Sequence, residues 1–487
     1  GYTVGDGYLD PETETTPFTE QGGNRDAFFL KLDSSGNFVW GKHFGGTGMD
    51  HASDVVLDGS GNIYVSGEFA GTVDLDPGSG TEPVTAAHQR DLFVSKFDSA
   101  GNFTWTRTFD TPDGGNGRGN TVAVDGSGNV YVGGHFSGTV DFDPDPTDEE
   151  LRVSNGGGVP WRTAAFVVKL DSSGDFQWVQ NPGCQNDQGP NGYCQSFTAG
   201  GIVVEAGGGN VYWSGEFQDP GPPVDFDPSS SGEDLVDAGN VRPSMVVWKL
   251  SSSGDHQWAT TLGVSAGLPP ALYVVNTLGY DIAIDSSNNL YVSGTVQSSG
   301  DFDLDPGPAT MTIDMATTSL SGSTNRPLVA KLDQQGNILW GAGPKDAGGY
   351  SYDVALDGSG NVYTSSSVCF GSGSGGSKVD YDPGAGTVYL DTDVACGWGT
   401  AAVTVITKYT SGGSLAPGGG NAGMIVTASG GSTTVSEAGG TDSFTVVLAA
   451  QPSSDVVLSV VSADTGEATV SPAQLTFTSA NWDSAQT

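Results

Sequence analysis

Two hairpin-forming phrases alternate along the first 410 residues, and a chain built this way has few means of burying both faces of its sheets. The first phrase runs from Lys31 to Trp40, with copies at Lys96 to Trp105, Lys169 to Trp178, Lys249 to Trp258 and Lys331 to Trp340. A degraded sixth copy begins at Lys408-Tyr409-Thr410. Each copy joins an alternating apolar run to a Gly-bearing turn and a second run carrying Trp, the pattern of a β-hairpin. The second phrase, Val55 to Gly67, recurs at Asp125 to Gly133, Glu205 to Gly215, Asp285 to Gly294 and Asp357 to Ser365. Two hairpins per repeat make a four-stranded unit, with the Asp58-type hairpin as strands A and B and the Lys/Trp hairpin as strands C and D. Successive Trp residues from Trp40 to Trp340 stand 65 to 82 positions apart. Strand-only units of that size bury both faces by stacking radially, so the expected fold class is all-β, a β-propeller of four-stranded blades. A β-sandwich array is the competing arrangement, disfavoured because sandwich repeats seldom alternate two such regular tight hairpins.

Strand counting also yields an expectation about the ends. The chain opens with a C–D pair that no A strand precedes, and Gly1-Tyr-Thr-Val4 matches Gly67-Glu-Phe69 at the end of a B strand. An open blade edge is rarely tolerated, so further blades are expected upstream in the parent protein. Residues 1–410 are read as blades, 411–422 as a Gly/Ser-rich linker, and 423–487 as a sandwich domain that would continue past Gln486-Thr487, or be completed by another subunit.

In such blades the A–B and C–D turns share one face of the disc, and the B–C and D–A connections share the other. The first set is short here, while every insertion falls in the second, which makes that elaborated face the place to expect a partner. Each B–C connection opens with an acidic phrase: Asp74 and Asp76, Asp141 and Asp143, Asp225 and Asp227, Asp303 and Asp305, Asp380 and Asp382, each pair followed by Pro. In an extended strand residues i and i+2 project to one side, so each phrase is expected to aim two carboxylates together and to be a candidate Ca²⁺ site. The plain alternative is that Asp caps a turn and Pro ends the strand. The Asp58-Gly-Ser-Gly-Asn62 turn places oxygens as an EF-hand loop begins, but Ile63 and Phe69 stand where that loop needs Gly and Glu, so a hairpin turn is expected. Trp40 and its counterparts are read as blade-to-blade packing rather than glycan platforms.

With 17 Lys+Arg against 57 Asp+Glu, the net charge is −40, which excludes nucleic acid and anionic lipid as natural partners and favours cations, other surface proteins, self-association or glycans. No apolar run is long enough to span a membrane, and Gly1 is not followed by signal-peptide features, so membrane insertion is not expected. The four cysteines fall as two local pairs, Cys184 with Cys194 and Cys369 with Cys396. Of the three possible connectivities the two local disulfides are expected, in keeping with an extracellular setting. His135 and His256 read as repeat variation, and His43 and His51 flank one D–A loop near Asp50 as a lone cluster. No Gly-x-Ser-x-Gly elbow, phosphate loop or His-Glu-x-x-His is present.

Phrases such as Asp-Gly-Ser-Gly-Asn-Val-Tyr-Val-Gly-Gly and Lys-Leu-Asp-Ser-Ser-Gly-Asn resemble the bacterial seven-bladed β-propeller repeat family. The run Val435 to Leu448, followed by Val470-Ser-Pro and Leu475 to Trp482, resembles a Calx-β-type immunoglobulin-like domain. The resemblance implies a secreted, non-catalytic binding or scaffolding module of a microbial surface, with a structural or adhesive role such as that of a filament subunit, and no catalytic residues to carry over. The alternative is a glycan-active enzyme on a propeller scaffold, which the abundance of Asp permits without selecting any pair.

Overall fold

The tight turns explain why each hairpin closes where it does. Asp58 opens the A–B turn of the second blade. Its Oδ1 accepts the N–H groups of Ser60 and Asn62 at 2.8 and 2.9 Å, and its Oδ2 accepts the Asn62 amide at 2.7 Å and the Tyr64 hydroxyl at 3.3 Å. Asp125 and Asp357 repeat the whole set. Burial pulls the Asp58 carboxyl upward, but these donors outweigh it and hold it below the ordinary aspartate value. The oxygens thus serve the turn itself, as a plain hairpin reading expects.

The computed structural model describes residues 2–3, 7–9, 17–18, 25–35, 37–112, 115–145, 147–154, 163–182, 196–218, 224–227, 235–236, 244–262, 274–298, 302–304, 312–313, 324–343, 348–369, 377–380, 389–392, 403–410, 412, 424–428, 444–448, 456–459, 471–472, 474–481, 484 and 486. Four sheets are complete antiparallel meanders. The second blade comprises His51–Leu57, Ile63–Phe69, Asp91–Phe97 and Phe103–Phe109, as strands A to D. The third comprises Asn116–Val124, Val130–Ser137, Ala164–Leu170 and Phe176–Gln180. The fourth comprises Ser196–Val204, Val211–Gln218, Ser244–Leu250 and His256–Leu262. The fifth comprises Val274–Ile284, Leu290–Ser298, Thr324–Leu332 and Ile338–Ala342. Three-stranded sheets flank them: Tyr2–Thr3, Asp26–Leu32 and Phe38–Phe44 before, and Gly348–Leu356, Val362–Cys369 and Val403–Tyr409 after. Tyr2 pairs with Ala27 and Thr3 with Asp26, the register that Glu68 and Phe69 keep with Leu92 and Asp91, so the first strand stands in the B position.

The apolar core lies between blades. Tyr64, Leu92 and Val94 of the second blade interleave with Val130, Val132 and Phe166 of the third, and similar clusters fill the following gaps. The repeated Trp seals each gap at the rim: Trp178 Nε1 donates to the Ser252 carbonyl at 3.2 Å and Trp258 Nε1 to the Gln334 carbonyl at 3.0 Å, both in the C–D turn of the next blade. Lys169 and Lys249 reach the same two carbonyls at 2.9 and 3.1 Å. Trp is therefore a packing and latching residue.

The B–C connections carry strands of their own. Each holds a two-stranded ribbon, Thr72–Asp74 with Pro83–Thr85 in the second blade and Thr139–Asp141 with Leu151–Val153 in the third, with two-residue strands in the first, fourth and fifth blades and four-residue strands, Ser377–Asp380 with Tyr389–Thr392, in the sixth. The residue between the two aspartates anchors the ribbon: Leu75, Phe142, Phe226 and Leu304 are each buried. In the tail, Met424–Ala428 pairs with Phe444–Leu448 and Val456–Ser459 with Gln474–Phe477, and Val446, Leu475 and Phe477 share a small buried cluster.

Candidate functional site at the propeller axis

Strand A is the inner edge of each sheet from the second blade to the sixth, and neighbouring A strands lie against one another. Each described A strand from the second blade to the sixth carries a register slip against its B strand: between Ala52 and Asp54, Gly119 and Thr121, Ala199 and Ile202, Gly279 and Asp281, and Ser351 and Asp353. Such a bulge lifts one residue out of the ladder and re-aims its neighbours. In four blades the residues so lifted are Ser53, Asn120, Tyr280 and Tyr352.

In the second, third and fifth blades the residue after the bulge stitches its blade to the next. Asp54 Oδ2 accepts the Val122 N–H at 2.8 Å and the Thr121 hydroxyl at 3.1 Å, Thr121 Oγ1 accepts the Ile202 N–H at 3.1 Å, and Asp281 Oδ2 accepts the Val354 N–H at 3.1 Å. Gly201 holds this place in the fourth blade, where a methyl group would stand 2.4 Å from Asp281 Oδ1. Asp281 also shares a hydrogen bond with Asp353. Burial first, and then that bond, push the Asp281 carboxyl well above the ordinary aspartate range. Burial raises the Asp54 carboxyl above the ordinary aspartate value, and the charge of Asp353 adds to that rise.

Nearer the elaborated face, Glu68 is buried and ion-paired to Arg90 and, at 3.4 Å, to Arg118. Burial raises its carboxyl above the ordinary glutamate value, against the pull of the two guanidinium groups. His135 stands opposite Arg118 in the ladder, and burial, then that positive charge, lower it to about 4. His43 and His51 have different partners: His43 Nε2 lies 3.3 Å from Asp26 Oδ2, whereas His51 pairs across the sheet from Glu68. Asp50 is buried under the intervening loop, accepts the Gly46 and Ala70 N–H groups, and is pushed up to about 6 by burial. Between the fifth and sixth blades the rim is aromatic, with the ring of Tyr352 set against those of both Tyr280 and Tyr350.

In the second, third and fourth blades the acidic phrase turns at its first aspartate instead of running on as an extended strand. Asp74, Asp141 and Asp225 end their strands, and Oδ1 of each accepts the N–H of the following aspartate, Asp76, Asp143 or Asp227, at 3.1, 3.1 and 2.9 Å. Asp74 and Asp141 also accept an N–H from across the ribbon, that of Glu82 or Glu150. The chain turns because the carboxylate outcompetes the ladder for those donors. Among the described residues no group of three His, Cys, Asp or Glu side chains is placed to hold a metal ion. Asp143 lines a cavity of about 460 Å³ at the outer rim with Arg107, Asp145, Asp148 and Asp175. Asp303 and Asp380 end their ribbon strands by backbone alone; their side chains, and Asp305 and Asp382, lie outside the described residues. So do Cys184, Cys194, Cys396 and the side chain of Cys369.

Sequence reading passed over the bulges, the inter-blade carboxylates and the tyrosine rim. Their signal was present in Gly279-Tyr-Asp281 and Ser351-Tyr-Asp353, which put one residue too many before the apolar run of strand A.

Radially stacked four-stranded meanders with A strands round an axis define a β-propeller. No protein-family profile matches the chain. It is similar to an uncharacterized WD repeat-containing protein of Acanthamoeba polyphaga mimivirus, 23% identical over 384 residues that make up 70% of this chain and 26% of that protein. It is also similar to quinoprotein ethanol dehydrogenases of Pseudomonas putida, 27% identical over 202 residues, and Pseudomonas aeruginosa, 26% over 201; each match covers 39% of this chain and 29% of the relative. Both kinds of relative are propeller proteins, and the chain spans less than a third of the length of each.

Proposed function

We propose that this chain is a secreted, non-catalytic binding and scaffolding module of a microbial surface protein, of the bacterial seven-bladed repeat type, with a Calx-β-type immunoglobulin-like domain behind it. The supporting observation is the asymmetry of the disc. The A–B and C–D turns are tight and internally hydrogen-bonded, while the B–C connections all carry ribbons that enlarge the opposite face. Rigid scaffolds with one elaborated face are built for recognition. The charged groups at the axis have uses in joining blades, as Asp54 and Asp281 do. Self-association, other surface proteins and glycans are the partners this face suits. Calcium belongs to the proposal as a loosely held surface ion of the acidic phrases, because Oδ1 of the first aspartate already serves the ribbon in the second, third and fourth blades.

The test is to localise the protein on its native cells by immuno-electron microscopy and to assay the purified chain against polysaccharides. Surface labelling without turnover is the expected result. Turnover of a glycan, or oxidation of ethanol with a quinone cofactor as in the activity for which the Pseudomonas relatives are named, would replace the scaffold reading with an enzymatic one.

A further inference from the structure

We propose that the three-tyrosine rim between the fifth and sixth blades binds an organic ammonium cation, with a trimethylammonium head group as the chemistry it fits best. This rests on the binding-module reading and names the ligand class of its axial site. Tyr350 and Tyr352 are 37% and 50% exposed. The ring of Tyr352 lies 6.5 Å from that of Tyr350, nearly parallel at 26°, and 5.9 Å from that of Tyr280, tilted by 57°. The tilt makes Tyr280 and Tyr352 adjoining walls rather than one flat surface. Both are bulge residues, set out of the ladder where an ordinary strand would have kept them in it. Tyr350 is steadied by its hydroxyl, which accepts a hydrogen bond from Asn325 Nδ2.

The charge around the rings selects the ligand. The negative charge of Glu216 reaches Tyr280, Asp353 directly follows Tyr352, and the whole chain carries −40. A cation over a tyrosine face is held by the ring quadrupole, and surrounding carboxylates add to that attraction. The chain uses this contact internally: Lys96, Lys169, Lys249, Lys331 and Lys408 each place Nζ 4.7 to 5.2 Å from the centroid of a strand-B tyrosine. Among the described residues no Lys or Arg lies over Tyr280, Tyr350 or Tyr352. An inorganic cation would seek a shell of oxygens, which ring faces do not offer. A neutral sugar could stack on the rings but would draw nothing from the acidic field. A quaternary ammonium is weakly hydrated and gains from both.

The test is a calorimetric titration of the full chain with choline, set beside the neutral alcohol in which a tert-butyl group replaces the trimethylammonium group. Choline is expected to bind at least tenfold more tightly than the alcohol. Tyr352→Ala, at an exposed ring, is expected to weaken choline about fivefold or more with an unchanged thermal midpoint, as the loss of one cation–π contact implies. Tyr280→Phe, which keeps the ring, should retain binding. Equal affinity for choline and the alcohol, binding indifferent to Tyr352→Ala, tighter binding of a neutral disaccharide, or no heat with choline at tens of millimolar would each overturn the assignment. None of these outcomes bears on surface localisation or turnover, so the ligand class can fail while the scaffold reading stands.

Discussion

At the scale of single residues, aspartate carries most of the architecture. The turn aspartates take backbone and side-chain donors at once, so Asp125→Ala should leave the donors of Ser127, Asn129 and Tyr131 unmatched in a tight turn. A loss of about 1 to 3 kcal/mol in urea-unfolding free energy is expected, with activity-independent circular dichroism unchanged at low urea. Asp281 behaves differently because its environment favours the neutral carboxyl. A group raised in the folded state contributes stability that is fully present below its ordinary value and is lost as pH rises through the raised one. Asp281→Asn keeps an oxygen for the Val354 N–H and gives Asp353 a permanent donor. Its thermal midpoint should therefore exceed the parent's near neutral pH, and the difference should shrink toward pH 4. The turn aspartates were legible in the repeat, since Asp and Asn flank most of the Gly-bearing turns. The role of Asp281 was not, because its partners Asp353 and Val354 lie about 70 residues further along and meet it only across a blade boundary.

At the scale of elements, alternation was a reliable guide to the four blade strands and silent about the ribbons. A ribbon strand such as Thr72–Asp74 has three residues, too few for a period to register, and only the burial of its anchor gives it a place. Phe142 packs against Phe109, Phe136 and Phe166, bridging the second and third blades, so Phe142→Ala should cost about 3 to 5 kcal/mol and release the ribbon to limited proteolysis before the blades unfold. Ring contacts also set the C–D turns. Gly254, at φ +89°, faces Trp178 of the preceding blade, and an added methyl would meet that ring at 2.8 Å. Gly254→Val should destabilise through both strain and crowding, by about 1 to 3 kcal/mol in the same urea assay.

At the scale of the whole molecule, the acidic surface and the order of the blades decide behaviour together. If calcium is a surface ligand and no structural ion, replacing chelator by millimolar calcium should move the thermal midpoint by no more than ~1 °C, and a larger rise would make the acidic phrases structural metal sites after all. The sequence by itself determined the strand content, the two hairpins per blade, the side of the disc that carries insertions and the charge of the surface. Each of these follows from local spacing and composition. Only the tertiary structure decided that strand A is bulged, that Asp54, Thr121 and Asp281 tie one blade to the next, and that Tyr280, Tyr350 and Tyr352 share one rim. Those features arise where strands distant in sequence compete for the same space and the same backbone donors round the axis, and no window along a single chain contains that competition.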